Sequence, residues 1–154
     1  MSSPSAAVPQ PKPLTLAVIL FPLVQPLDFI GPCDLLTPLS PSRLASASPQ
    51  LPSAYSLEIS YLSTTLDPVE MAGGLKVVPT MTYDEADGKA WDVILVPGGR
   101  GARPWLESNE RARRWLGKEA GHVERARWVI TGQFRSAPTL EEGSCAYGQA
   151  VVSS

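Results

Sequence analysis

Few groups in this 154-residue chain could do chemistry: two cysteines, one histidine, and two loops that set carboxylates and glycines beside short apolar runs. The first loop, FPLVQPLDFIGPCDLL, carries Asp28, Cys33 and Asp34. The second, VILVPGGRGARPW, passes from the apolar residues Val93 to Val96 into a turn at Pro97, Gly98 and Gly99. Bare backbone N–H groups at such a turn, close to a helix start, favour negative charge and could hold an oxyanion or a phosphate. The turn is not the phosphate-loop pattern, since no GK[ST] follows, and it is not GxGxxG; a plain glycine turn is the simpler alternative. Asp28 has the type of side chain that gives and takes protons, and it could equally cap a short helix.

Cys33 and Cys145 are too few for a disulfide scaffold and are not spaced as metal ligands, and one His122 gives a zinc site no support. Neither a metal nor a cofactor is expected. A Ser/His/Asp triad would have to use His122, which lies in KEAGHVERAR and reads as a solvent-exposed helix end. Cys33 reads as a small core residue.

These groups need elements to position them. LTLAVIL, Leu14 to Leu20, is a short apolar run and reads as a buried strand. After it, Pro32 suits the first turn of a helix, with Asp34 near its positive end, and Pro38 and Pro41 stop that helix near Leu36. SPSRLASASPQLPS reads as a loop, Tyr55 to Ser63 as a second strand, and Leu75 to Val78 as a short strand or hairpin arm before an acidic segment. Val93 to Val96 is the clearest strand. From Pro104 to about Glu124, Trp105, Leu106, Ala112, Trp115 and Leu116 recur at helical spacing, and ARWVIT is one more buried strand. Strands alternating with helices predict an α/β fold with a mostly parallel sheet, in which ligands sit beyond the carboxyl ends of strands, where both loops lie.

Composition agrees and excludes other classes. Hydrophobic residues are 44% and charged residues 18%, the balance of a globular protein with one core. A net charge of -2 with no basic stripe argues against nucleic acid as a partner. No apolar run approaches the roughly 20 residues that cross a bilayer, and MSSPSAAVPQPKP lacks an apolar signal core, so a cytoplasmic protein without a membrane partner is expected.

Taken together, FPLVQPLDFIGPCDLL and WDVILVPGGRGARPWL resemble the ThiJ/PfpI superfamily, from about Leu14 to Thr131, and within it the proteins similar to isonitrile hydratase. The resemblance implies a flavodoxin-like sandwich, usually a homodimer, with a cysteine thiolate on a sharp strand-to-helix turn. It implies that Asp28 handles protons for a reacting water and a small-molecule substrate. Asp34 stands where the family usually carries a glutamate that hydrogen-bonds the sulfur, and the aspartate is one methylene shorter. Gly98 and Gly99 match the turn whose backbone N–H helps stabilise a developing oxyanion.

The nucleophile departs from that pattern. Gly132, Gln133 and Phe134 follow the RWVIT strand, and none can attack a carbon. Cys145, in GSCAYG, comes more than ten residues late with no apolar strand before it, and is not expected to act. The expected organisation is a disordered leader over 1–13, the N-terminal part of a ThiJ/PfpI-type domain over 14–131, and a divergent, poorly ordered tail over 132–154, so that the sheet is incomplete at its C-terminal side. Such a chain would be a truncated product or a degenerate copy, and its sheet would expose Val93, Ile94, Val96, Val129 and Ile130. Three functions follow as expectations. One is an isonitrile hydratase-like protein left inactive by the missing cysteine elbow. Another is a non-catalytic or regulatory remnant that pairs with an intact relative, and the weakest is a phosphate or nucleotide binder at the glycine loop.

Overall fold

The computed structural model describes residues 11–46, 54–121 and 128–131. Apolar, β-branched runs form the strands, as their patterning requires. β1 spans Lys12–Ile19, two residues into the expected leader, and β2 spans Tyr55–Ser63 as predicted. The predicted hairpin arm is β4, Lys76–Val77, paired antiparallel with β3, Val69–Glu70. β5 is Met81–Thr82, β6 is Val93–Val96 and β7 is Trp128–Thr131. The main sheet has the order β5-β2-β1-β6-β7, with every pairing parallel. This is the flavodoxin-like α/β arrangement.

The helices correct several expectations. α1 spans Leu27–Leu36, so Pro32 lies inside it and not in its first turn, and Asp34 sits in its last turn, at the negative end of the dipole. Pro26 precedes α1 and no side chain caps it; Asp28 is not a helix cap. Ser40 to Ser53 is not all loop, because Pro41 opens a short helix, α2, over Pro41–Ser46. α3, Tyr83–Ala86, stands on a capping box: Thr82 Oγ1 accepts from Glu85 N–H, and the Glu85 carboxylate accepts from Thr82 N–H at 2.8 Å. The single long helix expected from Pro104 is two, α4 over Ala102–Ser108 and α5 over Glu110–Gly121, broken at Asn109, whose Oδ1 accepts from Ala112 N–H at 3.0 Å.

The core runs along β1. Leu16 through Phe21 are buried, with Ile94, Leu95, Val96, Phe29 and Trp105 around them, and Phe21 stacks on Trp105 with centroids 4.7 Å apart. Ile94 and Val96 are therefore covered, against the expectation that they face water, and Val93 is half-buried. Ile94 and Val96 belong to the same buried cluster as Phe21, Val24, Ala102 and Trp105. The side chains of Val129 and Ile130 lie outside the description. Crossovers run from β1 through α1 to β2 in one direction along the sheet and from β6 through α4 and α5 to β7 in the other, and the right-handed rule for parallel strands sends α1 and the α4–α5 pair to opposite faces. The two crossovers part between the adjacent strands β1 and β6, and a crevice opens at their carboxyl ends. No helix among the described residues is long and apolar enough to cross a membrane.

Candidate functional site

Both predicted loops meet at that crevice, and backbone contact brings them together. Val24 forms an antiparallel bridge with Gly99, and Gln25 N–H donates to the Gly98 carbonyl at 2.8 Å. The glycines permit this approach. A Cβ on Gly99, which holds φ +139, would stand 2.6 Å from the Leu23 carbonyl oxygen, and a Cβ on Gly101 would stand 1.7 Å from that of Pro22. The turn is glycine-rich because another stretch of backbone lies against it.

One side chain joins the loops. From the first turn of α1, Asp28 Oδ2 accepts the Gly98 N–H at 2.9 Å. Asp28 is half-buried and Gly98 buried, so the bond is charge-assisted and partly shielded from water. The Gly98 amide, expected as an oxyanion donor alongside Gly99, is engaged here by the Asp28 carboxylate. The same carboxylate repels phosphate, which disfavours a phosphate or nucleotide binder. The hairpin β3–β4 closes the first loop from the other side: Leu23 N–H donates to the Glu70 carbonyl at 2.9 Å, and Ala72 N–H donates to that of Val24 at 3.0 Å. Sequence patterning missed this support, although Gly73 and Gly74, both at positive φ, marked the hairpin's tip.

The remaining candidates do not gather here. Asp34 is exposed, six residues and so about 9 Å further along α1 than Asp28. Cys33 is buried, as its small-core reading expected, and lies against Tyr61, whose hydroxyl bonds its sulfur. Burial pushes the Cys33 thiol above its ordinary range, with the Tyr61 bond pulling partly the other way. Burial first, then the neighbouring thiol, pushes Tyr61 up to about 12. A thiol held protonated in this way is a poor nucleophile. His122 and Cys145 lie outside the described residues. Among those described, no group of three His, Cys, Asp or Glu comes together to hold a metal. A cavity of about 270 Å³ lies on the α1 face between Leu14, Leu16, Leu36, Leu57, Val93 and Leu95. It is apolar throughout and offers nothing that could move a proton.

The comparisons with known proteins agree with this fold. The model of the DJ-1/PfpI family matches residues 15–131. The chain is 31% identical over 121 residues to an isonitrile hydratase of Pseudomonas putida, covering 79% of this chain and 45% of that protein. It is 33% identical over 51 residues to a glutathione-independent glyoxalase of Caenorhabditis elegans, covering 33% of this chain and 27% of that protein. Among solved structures, a ThiJ/PfpI family protein from Pseudomonas syringae superposes with a TM-score of 0.60 at 20% identity, over 82% of this chain and 44% of that one. Drosophila melanogaster DJ-1beta superposes with a TM-score of 0.57 at 16% identity, over 79% and 55%. The chain spans about half the length of these relatives or less. With the family model matched from the middle of β1 to the end of β7, this chain belongs to the DJ-1/PfpI family.

Proposed function

We propose that the chain carries the proton-handling and charge-holding half of an isonitrile hydratase-like site and lacks the thiol that would complete it. The single observation that carries this reading is the Asp28 carboxylate on the Gly98 N–H, which fixes an acid–base group against the glycine turn at the carboxyl ends of β1 and β6. Hydration of an isonitrile adds water across the terminal carbon and nitrogen to give a formamide. One proton must reach the carbon and one the nitrogen, while the water oxygen bonds to the carbon. Asp28 Oδ1 can relay those protons, and the Gly99 amide can face developing negative charge. The similarity to the Pseudomonas putida enzyme supports this chemistry over others. Two observations support the missing nucleophile: Cys33 is buried against Tyr61, and Gly132, Gln133 and Phe134 follow β7.

The test is formamide production from a small alkyl isonitrile by the purified chain, alongside amide chemical shifts. The expected result is perturbation of Gly98 and Gly99 without turnover. Turnover abolished by Cys145→Ser overturns the missing nucleophile, and unmoved glycine resonances overturn the site.

A second reading is a non-catalytic member that pairs with a copy of itself or a longer relative. It is favoured by Leu27 and Leu35, 72% and 82% exposed on α1. Sedimentation at rising concentration tests it, and a monomer throughout, alone and mixed with the relative, rejects it.

A further inference from the structure

Leu23 holds φ +61, and among the described residues it is the one non-glycine at positive φ. A leucine rarely adopts this conformation, because its Cβ crowds the neighbouring carbonyl. Its own side chain does not explain the choice, being 43% exposed. The surrounding backbone does. Its N–H is held by the Glu70 carbonyl, the next carbonyl accepts from Ala72 N–H, and Gln25 N–H is bound to Gly98. Two separate segments, the hairpin β3–β4 and the glycine turn, therefore grip the three residues Leu23, Val24 and Gln25. Strain that persists under such over-determination is a mark of a constrained functional site.

The turn at Leu23 has a definite geometric result. It swings the chain leaving β1 so that Val24 bridges Gly99, and it delivers Pro26 and the start of α1 with Asp28 in reach of the Gly98 N–H. We propose that Leu23 is a positioning residue: its left-handed turn, clamped by the β3–β4 hairpin, sets where the Asp28 carboxylate stands against Gly98. Its catalytic meaning rests on Asp28 as the proton-handling group proposed above. Its test needs no turnover, so the failure of one reading is distinguishable from the failure of the other.

The experiment is a pH titration of the Gly98 amide resonance in the labelled full-length chain. An amide that donates to a carboxylate moves as the carboxylate ionises, and Asp28→Asn should abolish the movement. Leu23→Gly and Leu23→Asn, which tolerate positive φ, should keep its full amplitude. Leu23→Val, a β-branched residue that resists this conformation, should lose at least half of it while the β2 resonances stay in place. If Leu23→Val does not fold, Leu23→Ala takes its place, with an amplitude between valine's expectation and wild type. Full amplitude in the valine variant, or in the alanine variant if valine is unfolded, overturns the proposal. Loss of amplitude in Leu23→Gly overturns it as well.

Discussion

Removing the Asp28 carboxylate should destabilise the fold by an amount that depends on what replaces it. In Asp28→Ala the Gly98 N–H, buried and donating to Oδ2 at 2.9 Å, loses its acceptor. A hydrogen bond to a charged group contributes about 1.5–3 kcal/mol, and a buried donor left unpaired costs about 1–3 kcal/mol. These overlap, so the expected loss is about 2–3 kcal/mol. Asp28→Asn keeps a neutral acceptor in the same place, and its loss should be about 1 kcal/mol. With a urea slope on the order of 2 kcal/mol per molar, the alanine midpoint should fall by about 1 M and the asparagine midpoint by about half of that. The assay is equilibrium urea unfolding followed by tryptophan fluorescence, at neutral pH and with slopes unchanged between variants. Alanine and asparagine midpoints that coincide would refute the reasoning, because the difference between them is the unpaired amide. So would an alanine variant within about 0.2 M of wild type, well inside the shift expected from that slope.

Gly101→Ala should be among the most damaging single-methyl additions in the chain, since its Cβ would fall 1.7 Å from the Pro22 carbonyl oxygen, and recovery of soluble folded protein measures it. Tyr83→Phe should be neutral or stabilise by about 1 kcal/mol, because the buried Tyr83 hydroxyl has no hydrogen-bond partner among the described residues and its removal frees the site from an unpaired donor; thermal melts decide. Stability should decline in alkali. Cys33 and Tyr61 both hold their protons more tightly folded than unfolded, so their contribution is whole below about 9 and is lost as pH climbs toward the Tyr61 value of about 12. Tyr61 is only partly buried, which discounts its share to about 1 kcal/mol. Urea midpoints from pH 7 to 11 should fall in wild type and fall less in the Cys33→Ala, Tyr61→Phe double variant.

The longer strands were legible in the sequence because each is a short apolar or alternating run, whereas the two-residue strands β3 and β5 carry too little pattern to be read. Tyr55 to Ser63 matches its predicted limits, and Val93 to Val96 is the run that the glycine turn cuts off. What local pattern did not reveal was settled by partners far away in the chain. Asp28 had a local explanation as a helix cap, but its hydrogen bond crosses 70 residues of sequence to Gly98. The glycines of the second loop could be read as a turn, while the reason for them is the carbonyls of Pro22 and Leu23 lying against them. Nothing in the type of residue 23 signalled a left-handed turn, since leucine is among the residues that avoid one.

Pro32 shows how a correct local rule gave a wrong boundary and why the difference matters to the site. Proline is welcome in a first turn because the N–H it lacks would be unpaired there. Here α1 begins five residues earlier, at Leu27, so the missing N–H is an interior one. Four residues back along the helix, the carbonyl that would have received it is that of Asp28. The residue whose side chain reaches across to Gly98 is therefore also the one whose backbone is released from the regular ladder of α1. The proline and the aspartate looked like a helix start and its cap; in the fold the proline takes the helical partner from the Asp28 carbonyl, while the Asp28 carboxylate ties α1 to the turn after β6.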